Sequence, residues 1–286
     1  MQAALLLSLL LSAASTLAQT APGAQAACGK LVRVATHDGT TTAYAFAGPS
    51  GGSAAQGAPI TLLLLIGGGG HMALDEQGCP HALSRNSLIR MLPNWHEAGL
   101  LTALVDAPSN ISGNDGLAGL RVTPEHAQDL GKIIADLRQR TQGAVWVVGH
   151  SRGSLSAANA AVRLSGPAVP DGVVLLSAMM SGEPRGKKFW VSQTVQELAL
   201  ERLKMPLLMI GHVADNCPRS LPFLMQQVIA KSPSVRAQEV QISGGPIAPG
   251  RGISLSACEV GEPHDFVEQQ AIVAAGIARF VRGNPF

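Results

Sequence analysis

The chain has 286 residues, 46% of them hydrophobic and 14% charged, a balance that excludes a disordered segment and supplies a sizeable core. Its formal net charge is +2 with Lys and Arg dispersed, so it lacks the basic stripe that binding to nucleic-acid phosphates requires. Aromatic residues make up only 3% against 32 glycines and 18 prolines, which leaves packing to Leu, Val, Ile, Ala and Met among many loops.

The first residues hold an apolar stretch from Ala3 to Leu11, followed by small residues. This pattern reads as a secretory signal peptide over 1–18, cleaved after Ala18, with Ala26 as a second, more distant cleavage position. The run falls short of the roughly 20 apolar residues that span a bilayer, so no stable membrane insertion is expected. A single α/β domain over 19–286 follows, since no Pro/Ser-rich linker or charge run divides the middle. The expected location is the periplasm or the medium. There Cys28, Cys79, Cys217 and Cys258, all in the exported part, are expected to pair.

LVRVATH (Leu31 to His37) and TTAYAFAG (Thr41 to Gly48) alternate in polarity around HDGT and predict an antiparallel hairpin. After a Gly/Ser/Ala loop, ITLLLLI (Ile60 to Ile66) is a continuous apolar run, as in a strand buried on both faces, and it stops in Gly67 to Gly70. Another such run starts at Leu100. VTPEHAQDLGKIIADLRQR from Val122 has helical spacing, with Pro124 and Glu125 in its first turn. AVWVVGHS then reads as strand, Ser151 to Leu164 as an Ala-rich helix, and the runs from Gly172 and Met205 as strands. The run from Val235 is a last strand candidate, and Phe266 to Val281 closes the chain as an amphipathic helix. Strands alternating with helices predict a mostly parallel sheet covered on both faces.

GHSRG (Gly149 to Gly153) sits between a buried strand and a helix. G-x-S-x-G in that context is a nucleophile elbow: glycines relieve crowding at a sharp turn and leave the serine Oγ exposed at the strand's carboxyl end. A bare tight turn is the competing reading. On this motif and on the order of its elements, nearly all of the mature chain resembles the α/β-hydrolase superfamily.

The resemblance implies an acid after a later strand and a histidine before the last helix. Asp215, ending MPLLMIGHVAD, and His264, in GEPHDF, stand in those places behind Ser151. Serine is a weak nucleophile at neutral pH, so an imidazole must take its proton and a carboxylate must orient that imidazole. Asp265, Glu259 and Glu262 remain alternative acids, and His212 is the rival histidine; His212 and His150 are read as pocket-wall or structural residues. IGGGGHM resembles the HGGG-type oxyanion loop of esterases, with Ile66 where the usual histidine stands. Gly68 is the favoured backbone donor, Gly69 the next, and the N–H of Arg152 the second donor.

Cys217 lies two residues after Asp215 and Cys258 six before His264. A bond between them would tie the acid loop to the histidine loop, which predicts Cys217–Cys258 and, by elimination, Cys28–Cys79. Zinc sites from His71, Cys79 and His81, or from His212, Cys217 and Cys258, lack close ligand pairs, so no metal and no cofactor are expected. Residues 181–203 stand where the superfamily inserts a cap and are expected to form only a small one, with Phe189 and Trp190 near the pocket. The loop Ser109 to Arg121 is expected to face the site, and Asp106 to shape its rim.

The implied activity is hydrolysis of a small-molecule carboxylic ester through an acyl-enzyme. An amidase or peptidase with the same triad, and a non-catalytic periplasmic binding protein on the same fold, are the alternatives.

Overall fold

The computed structural model describes residues 28–49, 58–246 and 252–286. The predicted signal peptide and its cleavage position after Ala18 lie outside the described residues. The apolar runs form one eight-stranded sheet: β1 (Lys30–Ala35), β2 (Thr41–Ala47), β3 (Ile60–Leu65), β4 (Leu101–Pro108), β5 (Ala144–His150), β6 (Gly172–Leu176), β7 (Leu207–His212) and β8 (Ala237–Ile242). Their spatial order is β1-β2-β4-β3-β5-β6-β7-β8. The β1–β2 and β2–β4 pairs are antiparallel and the others parallel, as the opening hairpin and the later alternation predict.

The sheet is buried on both faces because successive side chains alternate across it. Leu63, Leu65, Val145, Val147, Val173 and Leu175 face one layer of helices, with α2 (Pro124–Thr141), α3 (Gly153–Arg163) and α4 (Met225–Lys231). Leu62, Leu64, Trp146, Val148, Val174 and Leu176 face the other, with α1 (Ser87–Glu97) and α5 (Gln270–Phe280).

Two helices differ from the sequence reading. No helix is expected at α1, where Pro93 stands inside the element. Its apolar face survives through Leu88, Met91 and Trp95, all fully buried, and Asn86 caps it by accepting a hydrogen bond from the Leu88 N–H at 3.1 Å. α5 starts later than Phe266 because Phe266 and Glu268 hold left-handed backbone (φ 50° and 58°), which a continuous helix does not admit. Among the described residues no helix is long and apolar enough to cross a membrane.

The chain enters β4 by way of α1 on one face and leaves it by way of α2 on the other. The carboxyl ends of β3 and β5, which pair from Ile60↔Ala144 to Leu65↔Gly149, therefore lie where the wrapping changes side. In open parallel sheets such a switch point is where ligands bind. The glycine run and the GHSRG turn both emerge there.

Both predicted disulfides are present, Cys28–Cys79 and Cys217–Cys258. The second closes a loop of 41 residues' separation, which the chain-entropy account values at about 4 kcal/mol. Cys217→Ser with Cys258→Ser is expected to lower unfolding stability by about that amount in urea titrations. A double variant as stable as the parent would contradict this.

Candidate active site

Ser151 follows β5 with φ 52°, a conformation rarely adopted by a residue with a Cβ and characteristic of strained functional turns. Its N–H donates to the Leu176 carbonyl at the end of β6 (2.9 Å), and its carbonyl accepts from the Ser154 N–H and Oγ (3.0 and 2.6 Å). The turn fits because its flanks carry no side chain: a Cβ on Gly153 would stand 1.9 Å from the Leu65 carbonyl oxygen. Gly67 is excluded from bearing one by Ser151 itself, whose Cβ would be 2.9 Å away.

The three predicted residues come together. His264 Nε2 lies 3.0 Å from Ser151 Oγ, and His264 Nδ1 lies 3.0 Å from Asp215 Oδ2. His264 and Asp215 are buried at 1% and 2% exposure, so their pairing is little screened by water. Asp215 is held from behind, with Oδ1 accepting the Cys217 N–H at 2.9 Å. The His264 carbonyl accepts from Ser177 Oγ (2.8 Å) and His150 Nε2 (3.1 Å), which fixes the histidine turn onto the ends of β5 and β6.

Asp265, Glu259 and the rival histidine stand away from this line. Asp265 is turned to the start of α1, where Oδ1 accepts the Ser87 N–H at 2.9 Å, and Glu259 is exposed. His212 accepts from the Ala214 N–H at Nδ1 and donates from Nε2 to the Gly244 carbonyl (3.1 and 2.9 Å), a structural role in the turn after β7. His150 is likewise structural; burial pushes its imidazole pKa down, against the raising influence of Asp265. Asp106 accepts from the Met72 and Leu74 N–H groups (2.7 and 2.9 Å) and so holds the chain just past the glycine run.

Two participants escape sequence reasoning. Ser220 Oγ donates to Asp215 Oδ2 (2.7 Å) and lies 2.8 Å from His264 Nδ1, bridging acid and imidazole. A serine in the irregular NCPRS stretch carries no spacing signal that would mark it. The second is Arg121, 1% exposed, whose Nη2 donates to the carbonyls of Ile66 and Gly68 at 3.2 Å each. It pins the glycine run from beneath, and burial pushes its guanidinium down to about 9.

Arg121 Nη1 also donates to Ser156 Oγ at 3.0 Å, leaving the hydroxyl proton for His126 Nε2 at 2.9 Å. His126 is thereby kept neutral, and burial, with smaller contributions from Arg121 and His37, pushes it from the ordinary 6.5 down to about 3. As pH falls below 6.5 the unfolded chain takes up this proton and the native one does not until about pH 3. Native stability is therefore expected to drop by about 1.4 kcal/mol per pH unit on this account across that window. His126→Gln should flatten the pH dependence of urea unfolding by about one proton between pH 6 and pH 4; an unchanged slope would refute the assignment.

A cavity of about 310 Å³ opens beside Ser151, lined by Gly68, Leu155, Met179, Trp190 and Val191 on its apolar walls and by the Cys217–Cys258 bridge. Gly68 (φ 59°) and Arg152 border it, whereas Gly69 packs against the backbone of Asn114, whose carbonyl oxygen would be 2.7 Å from a Cβ there. The cap segment 181–203 forms three short 3₁₀ turns, Phe189–Ser192, Val195–Glu197 and Leu200–Arg202. Val195, Leu200 and Leu203 are buried in the core, so only its Trp190–Val191 part reaches the cavity; Phe189 is 74% exposed. Cys217, Asp215 and His264 bring ligand-type atoms within 4.8 Å of one another, but the Cys217 sulfur is bonded to Cys258 and offers no thiolate.

No protein-family model matches the chain, and no curated protein matches its sequence. Among solved structures, a dienelactone hydrolase from Anabaena variabilis is 17% identical, with a TM-score of 0.57 over 90% of this chain and 97% of that one. An α/β serine hydrolase without lid from Xanthomonas campestris is 16% identical, with a TM-score of 0.53 over 88% and 93%. An esterase from Rhodococcus is 15% identical, with a TM-score of 0.56 over 89% and 99%. At these identities the likeness carries the fold: the chain has the α/β-hydrolase fold.

Proposed function

We propose that the chain is an exported serine hydrolase that cleaves carboxylic esters of small to medium size through an acyl-enzyme. The observation that carries this reading is the unbroken hydrogen-bonded line from Ser151 Oγ through His264 to Asp215, opening on a cavity. Ser151 Oγ attacks the acyl carbon while its proton passes to His264 Nε2, and Asp215 stabilises the resulting imidazolium. The oxyanion is received by the backbone N–H of Arg152 and of Gly68 or Gly69. When the tetrahedral adduct collapses, the C–O bond to the alcohol breaks and His264 returns the proton to the leaving oxygen. A water, deprotonated by His264, then releases the acid and restores Ser151.

Support for ester substrates comes from the mostly apolar walls of the cavity and from fold neighbours that include esterases. Export is supported by the apolar N-terminal run and by two disulfides, which persist in an oxidising compartment. The test is turnover of a p-nitrophenyl ester panel against the matching p-nitroanilides. The reading predicts steady hydrolysis of short acyl esters at far higher kcat/KM than the anilides. Folded protein that turns over the anilides alone would make it an amidase, and one that turns over neither would sink the hydrolase reading.

A further inference from the structure

The cavity beside Ser151 is apolar in most of its wall and yet has two arginines, Arg152 and Arg219, among its lining residues. Arg152 leaves the elbow directly after the serine, and its guanidinium carbon stands over the Trp190 ring, 4.0 Å from the centroid. Its Nη2 is buried and makes no hydrogen bond, and among the described residues no carboxylate stands within ion-pair distance of it. The nearby carboxylate, Asp115, is taken by Lys188 at 2.5 Å. Arg219, with its side chain 15% exposed, has among the described residues only a 4.0 Å ion-pair contact, to the half-exposed Glu183.

The segment that brings Trp190 to the cavity adds to the same sign of charge. The Glu183 N–H donates to the Val191 carbonyl (2.9 Å), closing a loop at the cavity-lining Val191 whose exposed tip carries Arg185 and Lys187, Lys188 being paired with Asp115. Burying cations without matching anions is unfavourable, and a cleft walled by low-dielectric groups focuses their field inward. A ligand carrying its own planar anion would complete both guanidinium groups by charge-assisted hydrogen bonds.

We infer that the substrate is an ester bearing a carboxylate a few carbon atoms from the scissile bond, received by Arg152 and Arg219. This rests on the hydrolase reading above and names its substrate class. The short reach follows from the size of the site: Ser151, Arg152 and Arg219 line one cavity of about 310 Å³, which leaves room for only a few carbon atoms between the reacting carbon and the anion.

The test uses matched ester pairs. Mono-p-nitrophenyl glutarate against p-nitrophenyl valerate places the anion on the acyl side; p-carboxyphenyl butyrate against phenyl butyrate places it on the alcohol side. In one of the pairs the anionic member is expected to have a kcat/KM about tenfold or more above its neutral partner at low salt. The ratio should fall towards one in Arg152→Met, in Arg219→Met and at about 0.5 M NaCl, while Arg152→Lys should retain part of it. A neutral preference in both pairs, or an anionic preference that survives both methionine variants, overturns the inference. Fluorophosphonate labelling of the same samples separates the two claims. Labelled wild type without anionic preference leaves the hydrolase reading standing and removes this one; unlabelled folded protein removes both.

Discussion

Replacing His264 with alanine is expected to lower kcat by roughly 10⁴- to 10⁶-fold while the protein stays folded. Among the described residues the imidazole is the one side chain hydrogen-bonded to Ser151 Oγ, at 3.0 Å, and no other histidine there is placed to take over. His150 is committed to the His264 carbonyl and to Asn86 Nδ2 at 3.2 Å, and His212 to the backbone of its own turn. Stopped or steady-state ester assays would read the loss, with circular dichroism confirming the fold. A variant that keeps more than a few per cent of parental kcat would remove His264 from the proton path.

Asp215→Asn is the second large effect, a fall in kcat of about 10⁴-fold. The amide keeps the shape of the carboxylate and its Oδ1 bond to Cys217, so stability should change little. What changes is the partner of His264 Nδ1: an N–H facing that nitrogen favours the tautomer protonated at Nε2, which has no lone pair to accept the Ser151 proton. Ser220, 2.7 Å from Asp215 Oδ2, would face the same altered group. Asp265→Asn is the control, because Asp265 caps α1 through Ser87 and not His264. It is expected to shift unfolding midpoints far more than kcat. The reverse pattern, with Asp265→Asn inactive and Asp215→Asn active, would reassign the acid.

The strands were legible because burial on both faces writes a continuous apolar run: Leu62 to Leu65 needs no alternation when helices cover both sides. The elbow was legible from its own motif between strand and helix, and the acid and histidine positions from the resemblance that motif carries, which implies an acid after a later strand and a histidine before the last helix. The Cys217–Cys258 pairing followed from the same logic, two loops that must stay in register. α1 was not legible, because Pro93 obscures a helix whose support is the tertiary contact of Leu88, Met91 and Trp95. Ser220 and Arg121 were not legible for another reason. Each reaches the site through partners 44 to 55 residues away in sequence, Ser220 on His264 besides its neighbour Asp215 and Arg121 on Ile66 and Gly68 besides Ser156, and neither lies in a recurring motif. The buried network of Arg121, Ser156 and His126 beneath the glycine run exists only once α2 and α3 pack on the sheet.

The central claim is that Ser151 is a nucleophile made reactive by His264 and Asp215. A fluorophosphonate probe reports on this without any assumption about the natural ester, because it traps the serine as a stable covalent phosphonyl adduct. Intact-mass and peptide mapping of the folded protein should find a single adduct on Ser151, absent from Ser151→Ala. Folded wild type that remains unlabelled, or an adduct that persists in Ser151→Ala, would contradict the account.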